Sequence, residues 1–149
     1  MEIPDQEANL KIAKEVMNQT DFTHGEIEET SAGNPRCDRC KKSGYWSDGD
    51  LISGPCVLDY CDDSNASDEL LNTLAKRFPR IMVVHYGSPP FLWACCAWTG
   101  LISMAWHNAD FIGEHEENKQ LAIVICTLKS IGIDNPEIVQ TDVFLGGPT

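Results

Sequence analysis

Four cysteines fall in the stretch CDRCKKSGYWSDGDLISGPCVLDYC, residues 37–61, spaced as Cys37-x2-Cys40, then fifteen residues, then Cys56-x4-Cys61. A two-residue gap lets one tight turn aim both thiolates at a single ion about 2.3 Å from each, and leaves backbone N–H groups to bond the sulfurs. Two such pairs at this separation are the pattern of a tetrahedral Zn2+ site. Cys37, Cys40, Cys56 and Cys61 are therefore the expected metal ligands, with Zn2+ as the cofactor and a zinc finger as the nearest description. Four intervening residues make the second pair less regular than the first, so His24, Asp59 or Asp62 is a possible substitute for one of its thiols. A site closed by four protein donors leaves no position for water or substrate and is structural.

A different combination of the same residues points to catalysis. HGE at 24–26 followed by PRCDRC at 35–40 resembles the signature of the zinc-dependent nucleoside and cytosine deaminases, His-x-Glu followed by Pro-Cys-x-x-Cys. The resemblance implies that His24, Cys37 and Cys40 bind zinc while Glu26 shuttles protons to a metal-bound water. It covers about 17 residues of the chain. Only ten residues separate Glu26 from Cys37, and Arg36 stands between the proline and the first cysteine.

Two further groups carry titratable chemistry. In WHNADFIGEHEEN, a continuing helix would put His107, Asp110 and Glu114 on one face, as ligands for a divalent ion or as an acid and base pair; a solvated acidic helix end is the plainer reading. His85 and Tyr86 end an apolar strand just before a Gly-Ser-Pro turn, where open sheets place ligand pockets. A hydrogen-bonded core histidine is the expected role there. Cys95-Cys96 lacks the spacing of a redox pair and is read as packing.

The elements that must position these groups are legible from periodicity. Leu10, Ala13 and Met17 recur at helical spacing behind Pro4, which predicts a helix over 5–18. Residues 20–35 have little apolar periodicity and read as a loop, and DLISG and PCVLDY read as short strands. Ser67 opens a second helix with Leu70, Leu71, Leu74 and Phe78 inward, and Pro79 stops it. RIMVVHYG is a strand covered on both faces. Ser88-Pro89 then opens a long apolar helix through Trp106. With no Asp, Glu, Lys or Arg between Ile81 and Ala109, a membrane span competes, but the segment is shorter than the ~20 residues a span requires and lacks basic flanks. Residues 116–131 form a helix with Leu121, Val124, Ile125, Leu128 and Ile131 inward and Gly132 as its cap, and 137–145 closes the chain as a strand. The expectation is an α+β protein: a small mixed sheet packed with about four helices, comprising a cysteine-rich zinc-binding element at 1–63 and an α/β core at 64–149 within one compact unit.

Charge narrows the function. The chain has 149 residues, 23 acidic against 11 basic, for a net charge of −12. That field repels nucleic-acid phosphates and anionic lipid where no basic groove overrides it. The start MEIPDQEANL has acids where a signal peptide needs a basic region, so the expectation is a cytoplasmic protein with its thiols reduced. No nucleophile with a neighbouring base and no phosphate-cradling glycine loop is visible. The resulting expectation is a non-enzymatic, zinc-stabilised regulatory or adaptor protein that binds another protein with a basic surface, without nucleic acid or membrane. The alternative is a zinc-dependent hydrolase or deaminase-like enzyme built on His24, Glu26, Cys37 and Cys40, or on His107 and Asp110.

Overall fold

A computed structural model describes residues 2–29, 35–40, 55–87, 92–100 and 109–139. Seven strands and three helices lie among them: β1 (Glu2–Pro4), α1 (Asp5–Glu15), β2 (Ile27–Glu29), β3 (Pro35–Cys37), α2 (Ser64–Arg77), β4 (Arg80–Tyr86), β5 (Leu92–Trp98), β6 (Phe111–His115), α3 (Lys119–Ser130) and β7 (Glu137–Val139). Helix and sheet are combined as an α+β protein, with three helices among the described residues where about four were expected. The strands form three separate ladders rather than one mixed sheet: an antiparallel β4-β5-β6 meander, a parallel β1-β7 pair and an antiparallel β2-β3 pair.

The central correction concerns residues 91–106. Leu92–Trp98 is the middle strand of the meander, paired with β4 from Arg80↔Trp98 to Tyr86↔Leu92 and with β6 from Trp93↔His115 to Ala97↔Phe111. Cys95 and Ala97 enter the main core beneath α3, while Ala94, Cys96 and Trp98 enter a second cluster on the opposite face with Met82, Val84 and Ile112. A strand buried on both faces needs no polar alternation, so its run of apolar residues cannot be told from a buried helix by period alone. Residues 101–108, with His107, lie outside the described residues. The helix expected to carry His107, Asp110 and Glu114 on one face is replaced by a bend at Asp110 and by β6, which holds Glu114. Among the described residues no helix is long and apolar enough to cross a membrane.

β6 lies tightly against α3 at Gly113. A Cβ on Gly113 would overlap the Ala122 carbonyl oxygen and the Cys126 backbone nitrogen of α3. Glycine there lets the helix backbone lie directly on the strand. α3 is capped at its start by Asn118, whose side chain accepts from Leu121 N at 3.1 Å, and at its end by Ile131, with Gly132, the cap expected from the sequence, following in the left-handed region (φ 98°). α2 starts three residues earlier than expected, because Asp63 accepts from Asn65 N at 2.9 Å and acts as the cap; Ser67 is fully buried and bonds Ser64 O instead.

One core unites Ile12 of α1, Leu70 and Leu74 of α2, Ile123, Val124 and Leu128 of α3, and Val57 and Tyr60 of the connecting segment. That segment, 55–60, is irregular rather than the expected strand. Its backbone groups bond outside any ladder: Cys56 N donates to Phe22 O at 2.9 Å and Tyr60 N to Asn9 Oδ1 at 3.0 Å. Residues 50–54 and 140–145, also expected as strand, lie outside the described residues. The loop expected at 20–35 contains β2 and the first residue of β3, aligned by Ile27↔Cys37.

Candidate metal centre

α1 ends in a turn at Asn18, whose left-handed backbone (φ 56°) asparagine tolerates better than most residues, and Gln19 N closes the turn on Ala13 O at 2.8 Å. Gln19 then fixes two chain segments at once, since its Nε2 donates to Asp21 O at 2.8 Å and to Cys56 O at 2.7 Å. Cys56 is thus pinned beside the 19–25 segment. From the other side, β2 and β3 bring Cys37 to the end of their ladder, and Asp38 N extends it to Glu26 O at 2.9 Å. The turn that follows carries Cys40.

The result is a cluster of His24, Cys37, Cys40 and Cys56, with all four donor atoms within 4.8 Å of one another. Cys37 Sγ and Cys56 Sγ are 3.8 Å apart, and Cys40 Sγ and His24 Nδ1 are 3.6 Å apart. Donors about 2.3 Å (sulfur) and 2.0–2.1 Å (nitrogen) from a common centre at tetrahedral angles stand about 3.8 Å (S to S) and 3.6 Å (S to N) apart. These two edges therefore have the dimensions of a tetrahedral shell. The three thiols are buried and His24 is half-buried. The cluster could hold a metal ion.

Three of the four expected ligands are brought together, and the substitute His24 completes the set. Cys61 is not part of it: its thiol sits in the main core, 3.9 Å from Asp5 O, and burial, reinforced by Asp59, Asp5 and Asp62, pushes it well above the ordinary thiol range. Asp59 and Asp62 stand outside the cluster too; Asp59 accepts from Asn9 Nδ2 at 3.1 Å.

The thiols are electrostatically unequal. Burial raises Cys37, but N–H groups of Cys40 and Arg39, the His24 ring and the Gly25 N–H, at 3.2 Å, outweigh it and bring the thiol down to about 6. Cys56 is pushed up to about 12 by burial and by the neighbouring Cys40 and Cys37 sulfurs. The surroundings thus favour the thiolate at Cys37 and the protonated thiol at Cys56.

Several positioning residues were not singled out from the sequence. Asp21 Oδ1 accepts from Thr23 N at 3.0 Å and from Thr23 Oγ1 at 2.6 Å, and these bonds hold the Asp21 carboxyl below its ordinary range. Arg39 Nη1 donates to Thr23 O at 2.7 Å and meets Asp21 Oδ2 at 3.3 Å. The Asp-x-Thr pattern, an ordinary side-chain turn signal, was the available clue.

The other expected sites are not assembled with these. Glu26 is exposed, with its backbone in the β2-β3 ladder extension. Asp110 accepts from Thr99 N at 2.7 Å and Thr99 Oγ1 at 3.0 Å, closing the β5-β6 connection. His85 is exposed rather than a core residue, stacked near the end of β4 on Trp93 with ring centroids 4.3 Å apart. Comparison with protein-family models, curated proteins and solved structures finds no match.

Proposed function

We propose that the chain is a non-enzymatic regulatory or adaptor protein, stabilised by Zn2+ at His24, Cys37, Cys40 and Cys56, that engages a protein partner of basic surface through its acidic exterior. The observation that carries this reading is the fourth donor. Cys56 Sγ, 3.8 Å from Cys37 Sγ, occupies the place that a deaminase-like centre of His24, Cys37 and Cys40 would leave for water. Three thiolates and one neutral imidazole also suit zinc chemically.

Seven free cysteines support a reducing, cytoplasm-like compartment. Exposed carboxylates such as Glu7, Asp62, Asp68, Glu69 and Glu116, within a net charge of −12, support a basic protein partner over nucleic acid or an anionic membrane. The test is cobalt substitution of the full chain, followed by titration with azide. A closed four-donor site keeps its visible spectrum unchanged. A spectrum that shifts as azide binds would reveal an open position and favour the hydrolase or deaminase-like alternative with Glu26 as the proton shuttle.

A further inference from the structure

Arg39 lies in the Cys37-x-x-Cys40 turn, yet its side chain turns away from the sulfurs toward the segment that delivers His24. Nη1 donates to Thr23 O, the carbonyl immediately before His24, at 2.7 Å; it also meets Asp21 Oδ2 at 3.3 Å, and Nη2 reaches Asp21 O at 3.4 Å. Asp21 in turn holds Thr23 through its backbone N–H and hydroxyl. On the far side of His24, Gly25 N donates to Cys37 Sγ at 3.2 Å, and a Cβ at Gly25 would overlap Asp38 Oδ1 and the Arg39 side chain. The backbone on both sides of His24 is thus bonded to the cysteine turn itself.

The bonds that hold Cys37 and Cys56 themselves come from groups other than the Arg39 side chain. Cys37 is held by the end of β3, and Cys56 by Phe22 O and Gln19 Nε2. The N–H of Arg39 that supports Cys37 belongs to the backbone and survives truncation of the side chain.

We propose that Arg39 is a positioning residue for His24, and that through it the chain discriminates ions requiring four donors from ions that three thiolates satisfy. This rests on reading the cluster as a metal centre. Zn2+ in a structural site takes four protein ligands, so it feels the placement of His24. Cu(I) is a soft ion that thiolates select and that accepts three-coordination, so Cys37, Cys40 and Cys56 are enough for it. The Arg39–Asp21 pair is solvent-exposed, with side chains 40% and 63% accessible, and contributes little to global stability. Its value lies in orienting a ligand, the role outer-shell partners have in metal proteins.

The test uses the full chain as parent, Arg39→Ala, Arg39→Lys, His24→Ala and the Arg39→Ala/His24→Ala double variant. Zn2+ and Cu(I) affinities are measured by competition with chromophoric chelators, and the visible spectrum of each Co2+ form is recorded. Arg39→Ala is expected to weaken Zn2+ binding about tenfold, and Arg39→Lys, which keeps the charge but not the fork, less. The double variant should be no weaker than His24→Ala alone, as expected for residues acting through one contact. Cu(I) affinity should stay at the parent value in Arg39→Ala and Arg39→Lys, and the Co2+ spectrum of Arg39→Ala should move toward that of His24→Ala. Parent-like Zn2+ binding by Arg39→Ala, a loss additive with His24→Ala, or an equal loss of Cu(I) would overturn the proposal while leaving the metal centre standing. A parent chain that takes up neither ion would remove the centre and the proposal together.

Discussion

Asn9 Oδ1 accepts a hydrogen bond of 3.0 Å from Tyr60 N, and Asn9 Nδ2 donates to Asp59 Oδ1 at 3.1 Å. A polar residue only 3% exposed on α1 thereby fixes the irregular segment that carries Cys56 on one side and opens α2 on the other. Truncation to alanine leaves a buried backbone donor without its partner, which costs about 1–3 kcal/mol. Asn9→Ala is expected to lower the denaturation midpoint accordingly; a midpoint equal to the parent's would show that water replaces the amide.

The Gly113 contact makes a paired expectation. Gly113→Ala would place a methyl against backbone atoms of Ala122 and Cys126, which cannot swing aside, and should destabilise by several kcal/mol. Gly87→Ala and Gly100→Ala meet nothing within 4 Å and should stay within about 0.5 kcal/mol of the parent. Equal melting temperatures for all three variants would contradict the close approach of α3 to β6.

The two ligand sets separate cleanly by mutation. Purified protein should carry one zinc per chain; Cys56→Ser should lose tight binding, and Cys61→Ser should keep it, because only the former thiol reaches His24, Cys37 and Cys40. Chelation of the ion should lower the melting temperature strongly, since binding on the order of 10 kcal/mol in such sites is folding free energy. Elemental analysis of parent and variants decides the ligand set, and thermal melts with and without a chelator decide the stability.

Alkaline stability follows from Tyr60, which burial and then Glu69 push from 10.0 up to about 12. Below pH 10 the phenol is neutral in folded and unfolded chains alike and contributes no difference. Between pH 10 and 12 the unfolded phenol ionises while the folded one resists, so stability falls by about 2–3 kcal/mol across that window. Cys61, also raised by burial, adds to the loss from about pH 9, the ordinary thiol value. Tyr60→Phe should flatten the upper part of the decline; urea midpoints measured from pH 8 to pH 12 test it.

The helices α1 and α2 were legible because each buries one stripe, which period 3.6 records directly; α3, buried nearly all round from Leu121 to Leu128 with Ile125 the least covered, was legible from its length and the glycine that follows it. β5 was not, because burial on both faces erases the alternation that marks a strand. The first cysteine pair could be read from its spacing, as one turn brings Cys37 and Cys40 together. The fourth ligand could not be fixed that way. Chain order favoured Cys61, whereas the hydrogen bonds of Gln19, Phe22 and Asn9 hold Cys56 at the cluster and carry the chain onward into the core before Cys61 is reached. His24 was legible as a substitute donor and, through the His-x-Glu resemblance, as a partner of Cys37 and Cys40, but spacing alone did not say that it stands beside all three thiols in place of Cys61.

The pairing of β1 with β7 aligns Glu2 with Glu137 and Ile3 with Ile138, joining strands from nearly opposite ends of the described sequence. The β4-β5-β6 meander and α3 close over short separations, so they form early, whereas the β1-β7 ladder must enclose almost everything between them and the entropy of that closure is met last. Ile3 would be protected from exchange only after the meander is complete, and a released chain truncated before residue 137 would hold the meander with its first strand still searching for a partner.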